Sequence, residues 1–115
     1  MRLLLDTHAF LWFCEADPQL SQSASEAIQS MENTVFVSAA SLWEIAIKTS
    51  LGKLTLKFPF ASLATEVLAT YQMRMLAVEP AHLVRLIGLP FHHRDPFDRL
   101  LAAQALGEGQ TLVSQ

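Results

Sequence analysis

Four short apolar runs, separated by helical patterns, set the narrowest limit on what this chain can become. They are RLLL at 2–5, TVFVS at 34–38, MLAV at 75–78 and TLVS at 111–114. None of them alternates apolar with polar. A strand with one wet face alternates, so these runs read as strands covered on both faces.

Between the runs the spacing predicts helices. Two lie over about 7–16 and 21–31, with turn chemistry in ADPQLS between them. A third covers 41–51 and stops at Gly52, a residue suited to a helix C-terminus. KLTLKFPF reads as a loop before a helix over 60–72. Pro80 opens a short helix that ends near Gly88, and LPFHHRDP is a further loop. The last helix spans 96–107 and ends at Gly107 or Gly109. Strands alternating with helices indicate an α/β domain built on a mainly parallel sheet. With 115 residues there is room for one such domain, 1–115, and no repeat or linker divides it.

Composition narrows the function classes. Apolar residues make up 51% of the chain, enough for a core of its own. The net charge of −3 provides no global basic field. Binding to nucleic acid must then rest on local cations or on a metal. Cys14 is the only cysteine, so no intrachain disulfide is possible and a cytoplasmic location is expected. The opening MRLLLDTHAFLWFC begins like a signal peptide, but Asp6 and His8 break the apolar run too early. No stretch approaches the roughly 18 apolar residues that span a bilayer, so no membrane role is expected.

The carboxylates fall at informative places. Asp6 directly follows the first strand, Glu44 lies in the first turn of the helix after the second, and Asp95 and Asp98 open the last helix. Parallel sheets bind ligands beyond the carboxyl ends of their strands. Each acid also has a purely structural reading. Asp6 suits a helix N-cap. Ser41-x-x-Glu44 fits a capping box. Asp95-Pro96-Phe97-Asp98 is a sound helix start, with acids favoured by the helix dipole. Spacing alone leaves both readings open. Several acids gathered at one edge repel unless a cation lies among them. Their hard oxygens suit Mg²⁺ or Mn²⁺, and no Cys/His cluster has zinc spacing. Such a site supports metal-assisted hydrolysis of a phosphodiester.

LLLDTHAFLW, VSAASLWEIAIKTSLGKL and HHRDPFDRLLAAQAL follow one another along the chain. Together they resemble the PIN-domain ribonucleases, in particular the VapC-type toxins of bacterial toxin–antitoxin pairs. The resemblance covers nearly the whole chain. It implies a three-layer α/β/α fold, Mg²⁺- or Mn²⁺-dependent endoribonuclease activity on RNA, a homodimer, and a cognate antitoxin that blocks the site. It places the family's first acid on Asp6, the second on Glu44 and the third on Asp98, with Asp95 in the same RDPFDR element. The family's fourth acid normally follows the last core strand in a Thr/Ser-x-Asp-like pattern. Ser114 and Gln115 match the first two positions of that pattern, where the sequence stops. A PIN-like domain lacking its C-terminal edge strand is therefore expected. The alternative is a PIN-like module that dimerises and binds an antitoxin but cleaves weakly or not at all.

Other residues have paired readings. Thr7 either orients Asp6 or simply belongs to the first helical turn, and His8 is expected to pack or cap. His92, His93 and Arg94 either hold RNA phosphate or lie in solvent. Arg99 contacts RNA or solvent, and Ser38 supports the site from the end of the second strand. Lys48, four residues after Glu44, is expected to pair with it along the helix. Trp12, Phe13, Phe36 and Trp43 are expected in the core or in a dimer interface rather than as base-stacking groups. The aromatic-rich first helix would suit an oligomer or antitoxin contact if its outer face is exposed. A receiver-type phosphoacceptor also uses acids at strand ends. It needs an Asp ending a middle strand and a Lys after a later one. TVFVS ends in Ser38, and no Lys follows Lys57.

Overall fold

In a computed structural model, which describes residues 1–90 and 95–114, four strands form one parallel sheet in the order β3-β2-β1-β4. The strands are β1 (Arg2–Leu5), β2 (Thr34–Ser38), β3 (Arg74–Leu76) and β4 (Thr111–Val113). Leu4 pairs in register with Phe36 on one side and Leu112 on the other. Helices α1 (Thr7–Cys14), α2 (Gln22–Gln29), α3 (Ala39–Ser50), α4 (Phe60–Ser62), α5 (Leu68–Thr70), α6 (Pro80–Ile87) and α7 (Pro96–Glu108) fill the connections.

The strand residues sort by the two-residue period of the pleat. Leu3, Leu5, Val35 and Val37 point into one layer, where they meet Phe10 of α1, Ile28 of α2, and Leu42 and Ile45 of α3. Leu4 and Phe36 point the other way, onto Leu101 and Ala105 of α7. Both faces of the sheet are covered, and the fold is the expected three-layer α/β/α sandwich. The chain winds from β1 outward to β3, then returns to place β4 on the other side of β1. This reversal beside β1 is the switch point where parallel sheets hold ligands. No helix among the described residues is long and apolar enough to cross a membrane.

Local boundaries correct the sequence reading in five places. The first helix ends at Cys14 rather than near 16, with Ala16 in the left-handed region at φ 53. The second spans Gln22–Gln29, capped by the Ser21 side chain on the Ala24 amide. The helix expected over 60–72 is interrupted by a π-helical segment, Leu63–Val67. A π-turn keeps helical dihedrals, so apolar spacing reads straight through it. The third strand begins at Arg74 and ends at Leu76, because Ala77 turns its carbonyl toward Gln104 of α7. The fourth closes at Val113, leaving Ser114 just past the strand. The predicted stops at Gly52 and Gly109 hold, with φ of 72 and 66. Both need the left-handed conformation that glycine adopts at little cost.

Cys14 packs against the larger core cluster, and burial pushes its thiol up to about 12. The shift favours the neutral thiol in the folded state. Its contribution to stability is therefore full below the thiol's ordinary value of 9.0 and is lost as pH climbs toward 12. At neutral pH the thiolate is scarce. A disulfide reagent should label native protein far more slowly than denaturant-unfolded protein. Prompt labelling of the native state would contradict this burial.

Candidate active site

The site is built from the carboxyl end of β1 and the starts of α1, α3 and α7. The Asp6 amide donates to the Val113 carbonyl at 2.9 Å, tying the end of β1 to β4. The Asp6 side chain caps α1, accepting from the Ala9 amide at 2.7 Å. The expected cap is therefore present, at the sheet edge where the functional reading also places it.

Thr7 is the first residue of α1, as one of its two readings has it. Its hydroxyl donates to Glu44 Oε1 at 2.7 Å, and it lies 3.1 Å from the Ser41 hydroxyl. Helix α3 begins at Ala39, with Ser38 as its N-cap accepting from the Ala40 amide at 3.0 Å. Ser41 and Glu44 are thus inside the helix, and the expected Ser41 capping box does not form. Ala39 and Ala40 are strong helix formers and carry the helix back to the earlier serine. Glu44 is only 3% exposed. Its second oxygen, Oε2, takes the Lys48 ammonium at 2.6 Å, the helix ion pair the spacing predicts.

Lys48 gathers the rest of the charge. Its pKa is raised, first by the hydrogen bond to Glu44, with the Glu44, Asp95 and Asp98 charges adding to the effect against some desolvation. Asp95 and Asp98 therefore lie within electrostatic reach of the ammonium. Asp95 caps α7 through Oδ1, which accepts from the Phe97 amide at 2.8 Å and the Asp98 amide at 3.1 Å. Asp98 occupies the first turn of α7. The structure thus joins Thr7, Ser41, Glu44 and Lys48 by direct contacts, with Asp95 and Asp98 within electrostatic reach of Lys48.

Among the described residues, no three His, Cys, Asp or Glu side chains stand close enough to hold a metal ion together. The donor chemistry nonetheless fits a hard divalent cation, since the acids at this edge supply only oxygen ligands. The ammonium of Lys48 occupies the position of counter-charge.

Two candidates have structural tasks. Arg99 is buried, and its guanidinium donates to the carbonyls of Leu86 and Pro90, each at 3.0 Å, stapling the end of α6 to α7. An RNA-contacting or solvated Arg99 is thereby corrected. Ser38 is fully buried and, besides capping α3, donates to Gln104 Oε1 at 2.6 Å. His92, His93, Arg94 and Gln115 lie outside the described residues. Ser114 lies at the edge opened by β4. His8 is exposed, with its ring 5.7 Å from that of Trp12.

Sequence reasoning missed a buried polar chain behind the site. Gln104 reaches the Ala77 carbonyl and lies 3.4 Å from His82 Nδ1. His82 Nδ1 also accepts from the Glu79 amide, so the ring proton sits on Nε2 and is donated to Glu108 at 2.8 Å. The available signal was a glutamine inside the apolar run LLAAQAL. Trp43 is 62% exposed, which corrects the core half of its expected place and leaves it on the surface of α3.

Acids at the switch point of a parallel three-layer sheet define a class of carboxylate-lined α/β domains. Within that class the chain belongs to the PIN-domain family, whose model matches residues 3–115. It is 29% identical over 114 residues to Ribonuclease VapC22 of Mycobacterium tuberculosis, covering 98% of this chain and 85% of that protein. Its fold is similar to that of VapBC2 from Rickettsia felis, solved bound to a DNA fragment from their promoter. The TM-score there is 0.68 at 20% identity, over 99% of this chain and 87% of that one. A second similar structure is FitAB bound to an IR36 DNA fragment, with TM-score 0.68 at 17% identity, over 97% of this chain and 83% of that one.

Proposed function

We propose that this PIN-domain protein is a metal-dependent endoribonuclease, the toxin of a toxin–antitoxin pair, which hydrolyses RNA phosphodiester bonds in the cytoplasm. The observation that carries the reading is the placement of Asp6 at the end of β1, buried Glu44 on α3 and Asp95 and Asp98 at the start of α7, with Lys48 paired to Glu44 and within electrostatic reach of the other two. The likeness to a protein named as a ribonuclease supports the reaction type. Asp6, Glu44, Asp95 and Asp98 would hold Mg²⁺ or Mn²⁺. When bound, such an ion lowers the pKa of a water and neutralises charge on a phosphoryl oxygen. Thr7 fixes the orientation of Glu44 through its hydroxyl, and Ser38 fixes the start of the helix that carries it. Ser114 stands at the same edge.

The structural neighbours named for VapBC2 and FitAB support a cognate antitoxin as partner. A homodimer is supported by α6, which leaves Leu83, Val84 and Ile87 exposed. Contiguous apolar surface of this kind is usually covered by another chain.

The test is RNA cleavage by the purified chain with Mg²⁺, Mn²⁺ or EDTA, beside an Asp6→Asn protein shown to be folded. Cleavage is expected only with metal and only in the wild type. A folded wild type that binds an antitoxin yet cuts at no metal concentration would instead establish the inactive binding module.

A further inference from the structure

The acidic edge is poorly equipped to hold RNA by charge. Net charge is −3 for the whole chain. Helices α3 and α7 carry three of the four candidate acids, and their sequences contain one cation each, Lys48 and Arg99. Lys48 is paired with Glu44 at 2.6 Å. Arg99 is buried on backbone carbonyls of α6 and the loop after it. On these two helices, then, the cations of the described residues offer little to a polyanion when no metal is present.

An exposed aromatic on these helices offers a contribution that does not depend on charge. Trp43 precedes Glu44 and projects from α3 with 62% of its surface exposed. Its ring meets Phe97 of α7 edge-to-face, with centroids 5.4 Å apart and planes at 78°. Phe97 itself lies between Asp95 and Asp98. The aromatic pair thus bridges the two helix starts that hold the acids. Contact with Phe97 restrains the indole while leaving most of it open to solvent. An exposed, restrained aromatic face beside a phosphodiester-cleaving edge is suited to stack a nucleobase. Stacking is tolerant of sequence, because every base has a π-face.

We infer that Trp43, steadied by Phe97, is a nucleobase-stacking subsite that holds single-stranded RNA next to the acidic edge. The inference rests on the nuclease reading and adds to it a specific binding residue. Stacking one base would supply roughly tenfold in affinity.

The experiment is binding of a labelled single-stranded RNA oligomer by fluorescence anisotropy. It is done in EDTA, so that binding is read without cleavage, on wild type, Trp43→Ala and Trp43→Phe. A matching oligomer with abasic sites serves as the second probe, and sedimentation records the oligomeric state of each protein. Trp43→Ala is expected to bind RNA about tenfold more weakly. Trp43→Phe should retain most of the affinity, and all three proteins should sediment alike. The abasic oligomer should bind wild type about as weakly as RNA binds Trp43→Ala. Equal binding of RNA by wild type and Trp43→Ala would overturn the subsite and leave the nuclease reading standing. A change of oligomeric state in Trp43→Ala would overturn it as well, by placing the indole in a protein interface. A wild type that binds no RNA in EDTA would overturn the subsite as well, while the nuclease reading, which needs metal, is tested separately by cleavage with Mg²⁺ or Mn²⁺.

Discussion

RNA cleavage by a Glu44→Ala protein is expected to fall by roughly 10²- to 10⁴-fold, the range seen when a group acting on the reacting centre is removed. Glu44 is the point where the two halves of the site meet. Thr7 reaches it from the start of α1, and Lys48 from one turn further along α3. No other described acid is both this buried and held at both oxygens. Removing it takes away the shorter of the two hydrogen bonds from Thr7 to α3, leaving the one to Ser41, and deprives Lys48 of its nearest partner. Folding should survive. The Lys48 side chain is 40% exposed and can turn to water rather than remain as a stranded buried charge. The loss in stability should be about 1 kcal/mol, one buried hydrogen bond, because the Thr7 hydroxyl keeps Ser41 as a partner. Glu44→Gln separates the two roles. It keeps the size and an oxygen for Thr7 but not the charge, so it should be nearly as inactive and more stable than the alanine protein. Rates at saturating metal, with melting midpoints measured in parallel, check both expectations. A Glu44→Ala protein that is folded and cuts at the wild-type rate would reduce this carboxylate to a structural acceptor.

The two central strands were legible in the sequence because a strand buried on both faces must be apolar at nearly every position; β3 and β4, expected to be covered likewise, are edge strands that leave Arg74, Met75 and Thr111 exposed. Several helix starts were legible for a similarly local reason. Asp6, Ser21 and Asp95 cap with their own side chains the helices that follow them, and Pro80 and Pro96 stand at first helical positions. What the sequence did not disclose was decided between distant residues. Ser38 and Ser41 are equivalent as local caps. The choice went to Ser38, which is also taken by Gln104 from 66 residues away. Ser41 faces Thr7, 34 residues earlier. Arg99 looks like a free cation until the loop after α6 folds back and presents its carbonyls. Trp43 is apolar and sits in an apolar stretch, so only the packing of α3 reveals that this position faces outward. The site was legible in part. Its acids stand at strand and helix ends that the pattern already located, but their pairing with Lys48 and Thr7 depends on how α1, α3 and α7 meet.

The same distinction between local and distant partners predicts the largest stability effect. Gln104 is fully buried in α7, with its carbonyl on Ser38 and its amide on the Ala77 carbonyl. Gln104→Leu keeps the approximate volume and the helix propensity but deletes both contacts. The Ala77 carbonyl and the Ser38 hydroxyl then lose their buried partner, at about 1–3 kcal/mol for each group left unsatisfied. Ser38 still caps α3 through the Ala40 amide, so its share of the loss should lie at the low end. A total near 3 kcal/mol is expected, measured by denaturant unfolding. Ser38→Ala alone should cost about 1 kcal/mol for the cap, plus the penalty of leaving the Gln104 carbonyl unpaired. Once Gln104 is leucine, that second penalty is gone. Ser38→Ala in the Gln104→Leu background should therefore cost less than in the wild type, by about 1 kcal/mol or more. Strict additivity of the two substitutions would mean that the 2.6 Å contact contributes nothing, and that α3 is fixed by its cap alone. Coupling would mean that α7 holds the start of the helix carrying Glu44 from behind the sheet edge. On that account Gln104→Leu should also lower cleavage, although Gln104 touches none of the acids, and the double substitution should lower it no further.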